Sequence, residues 1–568
     1  MKKIKLLFWN LSILSCLNLN AQMNLSWAKN IGGSGADEAQ AIGTDLSGNV
    51  FVAGSFNGTV DFDPGPGTFT ITSAGGADGY VAKYDANGNF INAVSFTNNL
   101  DCKVYALALD NLGNVIVTGG FTGSVDFDPS AGVTLLVAGG YYDIFVVKLN
   151  SNLGFGWAHR FGYASADDYG FSVATDNSNN ILVTGNFQGS NIDFDPGGST
   201  YYLSSLGLKD VFVLKLDANA SFVWAFGIGG AASVQDIGQT IKTDATGNII
   251  VGGYFSYLAD FDPSVSTQTL VSGGNYDAFI AKYSPSGTYI WAKKFSGIGN
   301  EACYALQPDA SGDIYCTGTF AGGTSCDFDP GAATFNLTSN GLNEDVFVTK
   351  LTSAGNFVWA KSMGGVSADY GRAITLDANT IYISGYYSGV ADFDPSPSTN
   401  TLISNGGTDF FISRLDLSGN FLSAYNYGAL GNDYNYSICS SASGIIYAAG
   451  SFSNTVDFDH SSGTQTLTSS GLNDAYFFKL QNNTVSIEEL STVNSVQIFP
   501  NPFSETVKLT NAKNCEVSVF NILGQSVFET EIRDEESVLD LSSLCQGIYY
   551  LKIKKPSKLI QTIKIIKQ

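Results

Sequence analysis

The chain has 568 residues, 44% of them hydrophobic and 14% charged, with 64 Gly, 39 Phe and 28 Tyr, a composition that favours β-structure over helix. Its formal net charge is −23. Residues 22–486 hold 41 acidic and 16 basic side chains and residues 487–568 hold 10 and 9. The acidity therefore belongs to the long first part and argues against nucleic acid as a partner, because phosphate contacts need a basic stripe.

Residues 1–21 read as a secretory signal peptide: Lys2, Lys3 and Lys5 precede the apolar run from Leu6 to Leu19, and the cleavage point falls between Ala21 and Gln22. That run is too short for a membrane span, and no other segment has the ~18 uninterrupted apolar residues that a spanning helix requires. Beyond Cys16 seven cysteines remain, Cys102, Cys303, Cys316, Cys326, Cys439, Cys515 and Cys545, with no Cys-x-x-Cys pair. An odd number implies no shared disulfide framework. One local disulfide among Cys303, Cys316 and Cys326, or free buried thiols, both fit an oxidising compartment.

Self-similarity dominates residues 22–486. The tetrapeptide Asp-Phe-Asp-Pro begins at Asp61, Asp126, Asp193, Asp260, Asp327 and Asp392 and returns as Asp457-Phe458-Asp459-His460, at intervals of 65, 67, 67, 67, 65 and 65 residues. Within a repeat, a strand such as Ala106 to Leu109 reaches an Asp-x-x-Gly-Asn turn at Asp110 and a second strand follows from Val115. A third runs from Asp143 to Leu149 and a fourth holds Trp157-Ala158. Four short antiparallel strands with turn signals make one propeller blade. The last repeat stops after its third strand at Phe478-Lys479-Leu480, while the chain begins with an orphan strand of the fourth kind, Ser26-Trp27-Ala28-Lys29. The expectation is an all-β, seven-bladed β-propeller over 22–486, closed by the N-terminal strand so that no edge stays open. A linear solenoid would need capping repeats, and none is visible.

With the orphan strand outermost, the Asp-Phe-Asp-Pro loops and the links between blades share one face. In an extended Asp-Phe-Asp the two carboxylates point one way and Phe the other. The pairs Asp61/Asp63, Asp126/Asp128, Asp193/Asp195, Asp260/Asp262, Asp327/Asp329, Asp392/Asp394 and Asp457/Asp459 have two readings: ligands for a hard cation such as calcium, or acceptors for turn N–H groups. A cation stands five residues after an Asp in every repeat, at Lys83, Lys148, Lys215, Lys282, Lys350, Arg414 and Lys479. It reads as a structural ion-pair partner for an Asp of the same or the next blade, its stem lying over apolar surface. Trp157, Trp224, Trp291 and Trp359 recur in the outer strand and read as inter-blade packing. The two histidines, His159 and His460, make a Ser-His-Asp triad or a zinc site improbable. Two carboxylates suffice for glycosidase chemistry, so an extracellular carbohydrate-active hydrolase or lyase stands as the alternative to a non-enzymatic binding module.

These units resemble the bacterial β-propeller repeat family of secreted proteins, through the run Asp45 to Phe56 (Asp-x-x-Gly-Asn-x-x-Val-x-Gly-x-Phe) and the strand Asp210 to Leu216 (Asp-x-Phe-Val-x-Lys-Leu). After a linker at 487–495, residues 496–568 form a second, strand-rich domain. Its motifs are Pro500-Asn501-Pro502, the run Val517 to Gln525 with Gly524, Gly547-Ile548-Tyr549 and a basic end with Lys564 and Lys567. In this order they are similar to the type A sorting domain of the Bacteroidetes type IX secretion system. That resemblance implies a small β-sandwich handled by the type IX machinery, with the cargo secreted or held at the outer cell surface. The propeller's own partner is then an extracellular protein or glycan.

Overall fold

The computed structural model describes residues 23–97, 99–162, 166–230, 234–321, 323, 325–441, 444–461, 463–482, 496–522, 524–555 and 558–568. The signal peptide with Ala21 and Gln22, Cys16 and the linker 487–495 lie outside the described residues. The chain divides into two compact units, Met1–Asn482 and Asn483–Gln568. The described residues contain strands and no helix, so no helix is long and apolar enough to cross a membrane.

In the first unit each repeat but the last lays four strands side by side in chain order, all antiparallel, as in Glu38–Thr44, Val50–Phe56, Asp78–Tyr84 and Phe90–Phe96. The second and third strands are buried on both faces. That explains why they read as near-continuous apolar runs rather than an alternation. The hydrophobic cores lie between successive repeats; one packs Val52, Phe56 and Tyr80 of the first repeat against Tyr447 and Phe477 of the last. The N-terminal strand Met23–Gly33 runs antiparallel to Asp474–Asn482, with Trp27 opposite Lys479 and Ile31 opposite Ala475. It supplies the fourth strand that the last repeat lacks. His460, at the proline position of the motif, bonds through Nε2 to the Met23 carbonyl at 2.7 Å and through Nδ1 to the Tyr427 hydroxyl at 3.0 Å. Burial depresses its pKa, so the neutral ring serves there as a structural bridge.

The second unit pairs a three-stranded sheet (Gln497–Phe499, Thr506–Thr510, Glu536–Asp540) with a four-stranded one (Ser526–Ile532, Cys515–Asn521, Gly547–Lys555, Lys558–Lys567). Val507, Leu509, Val517, Val519, Leu551 and Ile565 pack together in its core. The tail motifs do local work. Asn501 donates to the Lys564 carbonyl at 2.8 Å and accepts from the Ile566 N–H at 2.9 Å. Lys567 donates to the Leu541 and Ser542 carbonyls, both at 2.7 Å, and the Tyr549 hydroxyl donates to the Cys545 carbonyl. Gly524 closes a tight turn back to Asn521 at a φ of 78°.

Candidate functional site

The Asp-Phe-Asp-Pro loops build seven near-identical brackets. In each, the Phe is fully buried, from Phe62 to Phe458. The first Asp accepts from the N–H two and eight residues on; Asp61 takes those of Asp63 at 3.1 Å and Phe69 at 2.8 Å, and Asp126, Asp193, Asp260, Asp327, Asp392 and Asp457 repeat the pattern. The second Asp of each loop, Asp63, Asp128, Asp195, Asp262, Asp329, Asp394 or Asp459, accepts from the N–H two residues further on.

A calcium site would need these carboxylates turned toward a common ion together with further oxygen ligands. Here Asp61, Asp126, Asp193, Asp260, Asp327, Asp392 and Asp457 cap one stretch of their own loop through Oδ1, and Asp63, Asp128, Asp195, Asp262, Asp329, Asp394 and Asp459 cap the next through theirs. The geometry is that of turn acceptors, because a short loop leaves backbone N–H groups that a nearby carboxylate satisfies first. Among the described residues no three His, Cys, Asp or Glu side chains gather as they would around a metal ion. The links between repeats lie beside these loops, with Gly32 opposite Asp61 and Gly364 opposite Asp392.

The recurrent cations tie one repeat to the next. Lys148, Lys215, Lys282 and Lys350 form ion pairs with Asp110, Asp176, Asp244 and Asp313 of their own repeat at 3.0, 3.0, 2.9 and 3.1 Å. Lys83, Lys148, Lys215, Lys282 and Lys479 also donate to a carbonyl of the following hairpin turn: Ser151, Ala218, Pro285, Ser353 and, from last repeat to first, Ala86. The outer-strand tryptophans add a second donor: Trp27, Trp224 and Trp291 reach the same Ala86, Pro285 and Ser353 carbonyls, and Trp359 reaches Leu417. Arg414 lies over the Tyr382 ring, 5.7 Å from its centroid, as Lys83, Lys350 and Lys479 lie over Phe51, Tyr315 and Tyr447. Cys102, Cys303, Cys316, Cys326, Cys439 and Cys545 are free thiols.

Two features escape a reading of the sequence alone. The first is a β-bulge at the same place in every first strand, which leaves Gln40, Tyr105, Phe171, Gln239, Tyr304, Arg372 and Tyr436 outside the ladder. A bulge re-aims its side chain and sharpens the twist. Opposite each bulge stands the glycine of the Val-x-Gly-x-Phe run: a Cβ on Gly54 would lie 1.9 Å from the Glu38 carbonyl oxygen, and one on Gly385 1.8 Å from that of Tyr370. That glycine was the available signal. The first strands of successive repeats neighbour one another, Tyr434–Ser440 also neighbouring Glu38–Thr44, so the bulged residues gather. The Arg372 guanidinium sits over the Tyr304 ring at 4.5 Å, and its charge is felt by Tyr254, Tyr386 and Tyr436. Around it Tyr254 packs on Tyr276 at 4.7 Å, Tyr370 on Tyr386 at 4.9 Å and Tyr386 on Tyr434 at 4.9 Å. These tyrosines are half-buried. Flat aromatic faces with one guanidinium and the nearby Glu38 and Glu344 make a surface that can stack and hydrogen-bond a ligand.

The second feature is a set of buried carboxylate pairs where repeats meet: Asp37 with Asp474, Asp210 with Asp236, Asp277 with Glu301, Asp345 with Asp369 and Asp409 with Asp433. Each of these side chains is at most 3% exposed. One member begins a third strand and the other lies in the link ahead of the bulge, so chain spacing does not announce the pair.

Comparison with known proteins agrees with both halves of this architecture. Residues 497–568 match the secretion system C-terminal sorting domain, and residues 27–60 and 156–201 match the β-propeller repeat. The uncharacterized WD repeat-containing protein L264 of Acanthamoeba polyphaga mimivirus is 26% identical over 479 residues, 70% of this chain and 33% of the viral protein. The chain therefore spans about a third of that relative's length. Among solved structures, Sqt1 from Chaetomium thermophilum is similar with 10% identity and a TM-score of 0.39, covering 81% of this chain and 99% of that one. PorZ, a surface component of the type IX secretion system of Porphyromonas gingivalis, is similar with 11% identity and a TM-score of 0.15, covering 95% and 100%. The chain thus carries β-propeller repeats followed by a type IX C-terminal sorting domain, the mark of a protein exported to the cell surface or beyond.

Proposed function

We propose that residues 22–486 form a seven-bladed propeller closed by Met23–Gly33, and that this ring, exported through the type IX pathway, is a non-enzymatic binding or scaffold module for an extracellular protein or glycan. Support for the ring comes from the pairing of the N-terminal strand with Asp474–Asn482 and from the core shared by first and last repeats. The observation that carries the binding reading is the gathering of bulged side chains around Arg372. Uniform positions of the repeat hold the scaffold, whereas this one varies from Gln to Tyr to Arg at a fixed register. The engagement of the Asp-Phe-Asp-Pro carboxylates by backbone donors supports this reading over a hydrolase that would use them. The test is a glycan array and a pull-down of cell-surface proteins with the mature chain, repeated with Arg372→Ala and Tyr304→Ala. The expected result is a retained ligand whose affinity falls about tenfold or more in both variants. Absence of any ligand from either class refutes the reading.

A further inference from the structure

The contacts between repeats differ in what neutralises their buried carboxylates. On the outer strand, one register position lies beside the third-strand Asp. In two repeats it is basic: Arg160 pairs with Asp143, and Lys294 with Asp277 at 3.2 Å. The same register, opposite the aromatic residue two after the Asp, holds Gly227 beside Asp210 and Ser362 beside Asp345. Neither brings a cation from the outer strand, as is also true where Ser95, Asn426 and Asn30 hold this register; Asp345 is set apart by the carboxylate it faces and by its own orphaned oxygen.

The hydrogen bonding of the Asp345–Asp369 pair shows what is missing. Asp345 Oδ2 accepts from the Asn340 N–H at 2.7 Å; Asp369 Oδ2 accepts from Gly365 at 2.6 Å and Oδ1 from Ser388 at 3.3 Å. Asp345 Oδ1 is buried and has no donor among the described residues. A Cβ placed on Gly364 would lie 2.7 Å from Asp345 Oδ1 and 2.8 Å from Asp369 Oδ2, so both oxygens flank one point. The two oxygens thus face one region, where Asp345 Oδ1 finds no donor among the described residues. Like-charged carboxylates this close and this dry do not both ionise; one keeps a proton and donates it to the other.

We propose that the Asp345–Asp369 pair holds one proton in common, which makes this contact a pH-sensitive latch between repeats. The other titratable groups facing the pair are Tyr387 and, beyond it, Asp409. Burial, aided by the partner carboxylate, raises Asp345 to about 8. An unfolded carboxyl titrates near 4. The folded chain therefore binds extra protons between about pH 4 and 8, and the latch strengthens as pH falls through that window and is lost as pH rises through it.

The experiment is thermal unfolding of the mature chain from pH 5.5 to 9, with infrared difference spectra for a protonated carboxyl band at pH 7. Ser362→Arg installs the cation found at this register in two other contacts, and Asp345→Asn supplies a fixed N–H donor. Both are expected to raise the midpoint at pH 9 by about 2 °C while leaving pH 6 within error. Should Asp345→Asn fail to fold, Ser362→Arg and the infrared band decide. No protonated carboxyl at pH 7, or a Ser362→Arg profile parallel to that of the natural chain, overturns the proposal.

Discussion

Replacing Lys282 by Met tests whether the recurrent cation joins the repeats. Its ammonium lies 2.9 Å from Asp244 Oδ2 and 3.1 Å from the Ser353 carbonyl of the next repeat, and both charged side chains are covered, at 5% and 4% exposed. Burial alone would raise the Asp244 pKa, but donors from Thr246, Lys282 and Asn248 outweigh it and hold the group at about 2. Methionine keeps the stem's packing and removes the charge. Breaking one side of a buried pair costs about 3–5 kcal/mol; since Thr246 and Asn248 still donate to Asp244, the lower end, about 3 kcal/mol, is expected. In a unit of this size that lowers the unfolding midpoint by about 3–6 °C at pH 7 by calorimetry. The double variant Asp244→Asn/Lys282→Met should recover part of the loss, because removing both charges leaves neither one buried alone. A single variant within about 1 °C of the natural chain refutes the clamp.

Removing residues 23–33 from the mature chain should expose the edge of Asp474–Asn482 and give concentration-dependent aggregation in light scattering; a monomeric, equally stable product would deny that strand its role. Phe261→Ala, in a fully buried loop anchor whose carbonyl accepts from the Tyr283 hydroxyl, should cost about 3–5 kcal/mol in denaturant unfolding. Calcium or a chelator should leave the midpoint unchanged, since the loop carboxylates already bind N–H groups; a shift with calcium would make those loops a cation site. Asn501→Ala should lose two hydrogen bonds to the last strand and reduce the amount of protein reaching the cell surface, read by protease accessibility on intact cells.

Much of the fold was legible because its signals are local. The Asp-x-x-Gly-Asn turn carries its own chemistry, with Asp110 accepting from the Leu112 and Asn114 N–H groups. Asp-Phe-Asp-Pro likewise closes on residues within eight positions. The orphan Trp27 strand could be matched to the last repeat because the repeat defines what is missing. The candidate site was not legible in this way. A bulge is a relation between two strands, so Arg372 looks like any polar residue of a half-buried strand until Gly385 is seen to admit the Tyr370 carbonyl. The Asp345–Asp369 pair likewise joins a strand start to a link 24 residues on, and only packing between repeats brings the two together.

In a chain built from copies of one unit, identity at a register argues for the scaffold, since every copy faces the same packing problem. The buried Phe of each loop and the glycine opposite each bulge are of this kind. Departures at a fixed register have no such constraint and must come from drift or from use. Where a departure is exposed and alone, drift suffices. Arg372 is neither: it replaces Gln, Tyr or Phe of the other copies, stacks on Tyr304, and stands among half-buried tyrosines of four consecutive repeats. Holding a guanidinium partly desolvated against aromatic faces costs hydration that cation–π contact only partly offsets. A side chain kept at that cost where glutamine is tolerated in two other copies is the one most economically explained by a ligand.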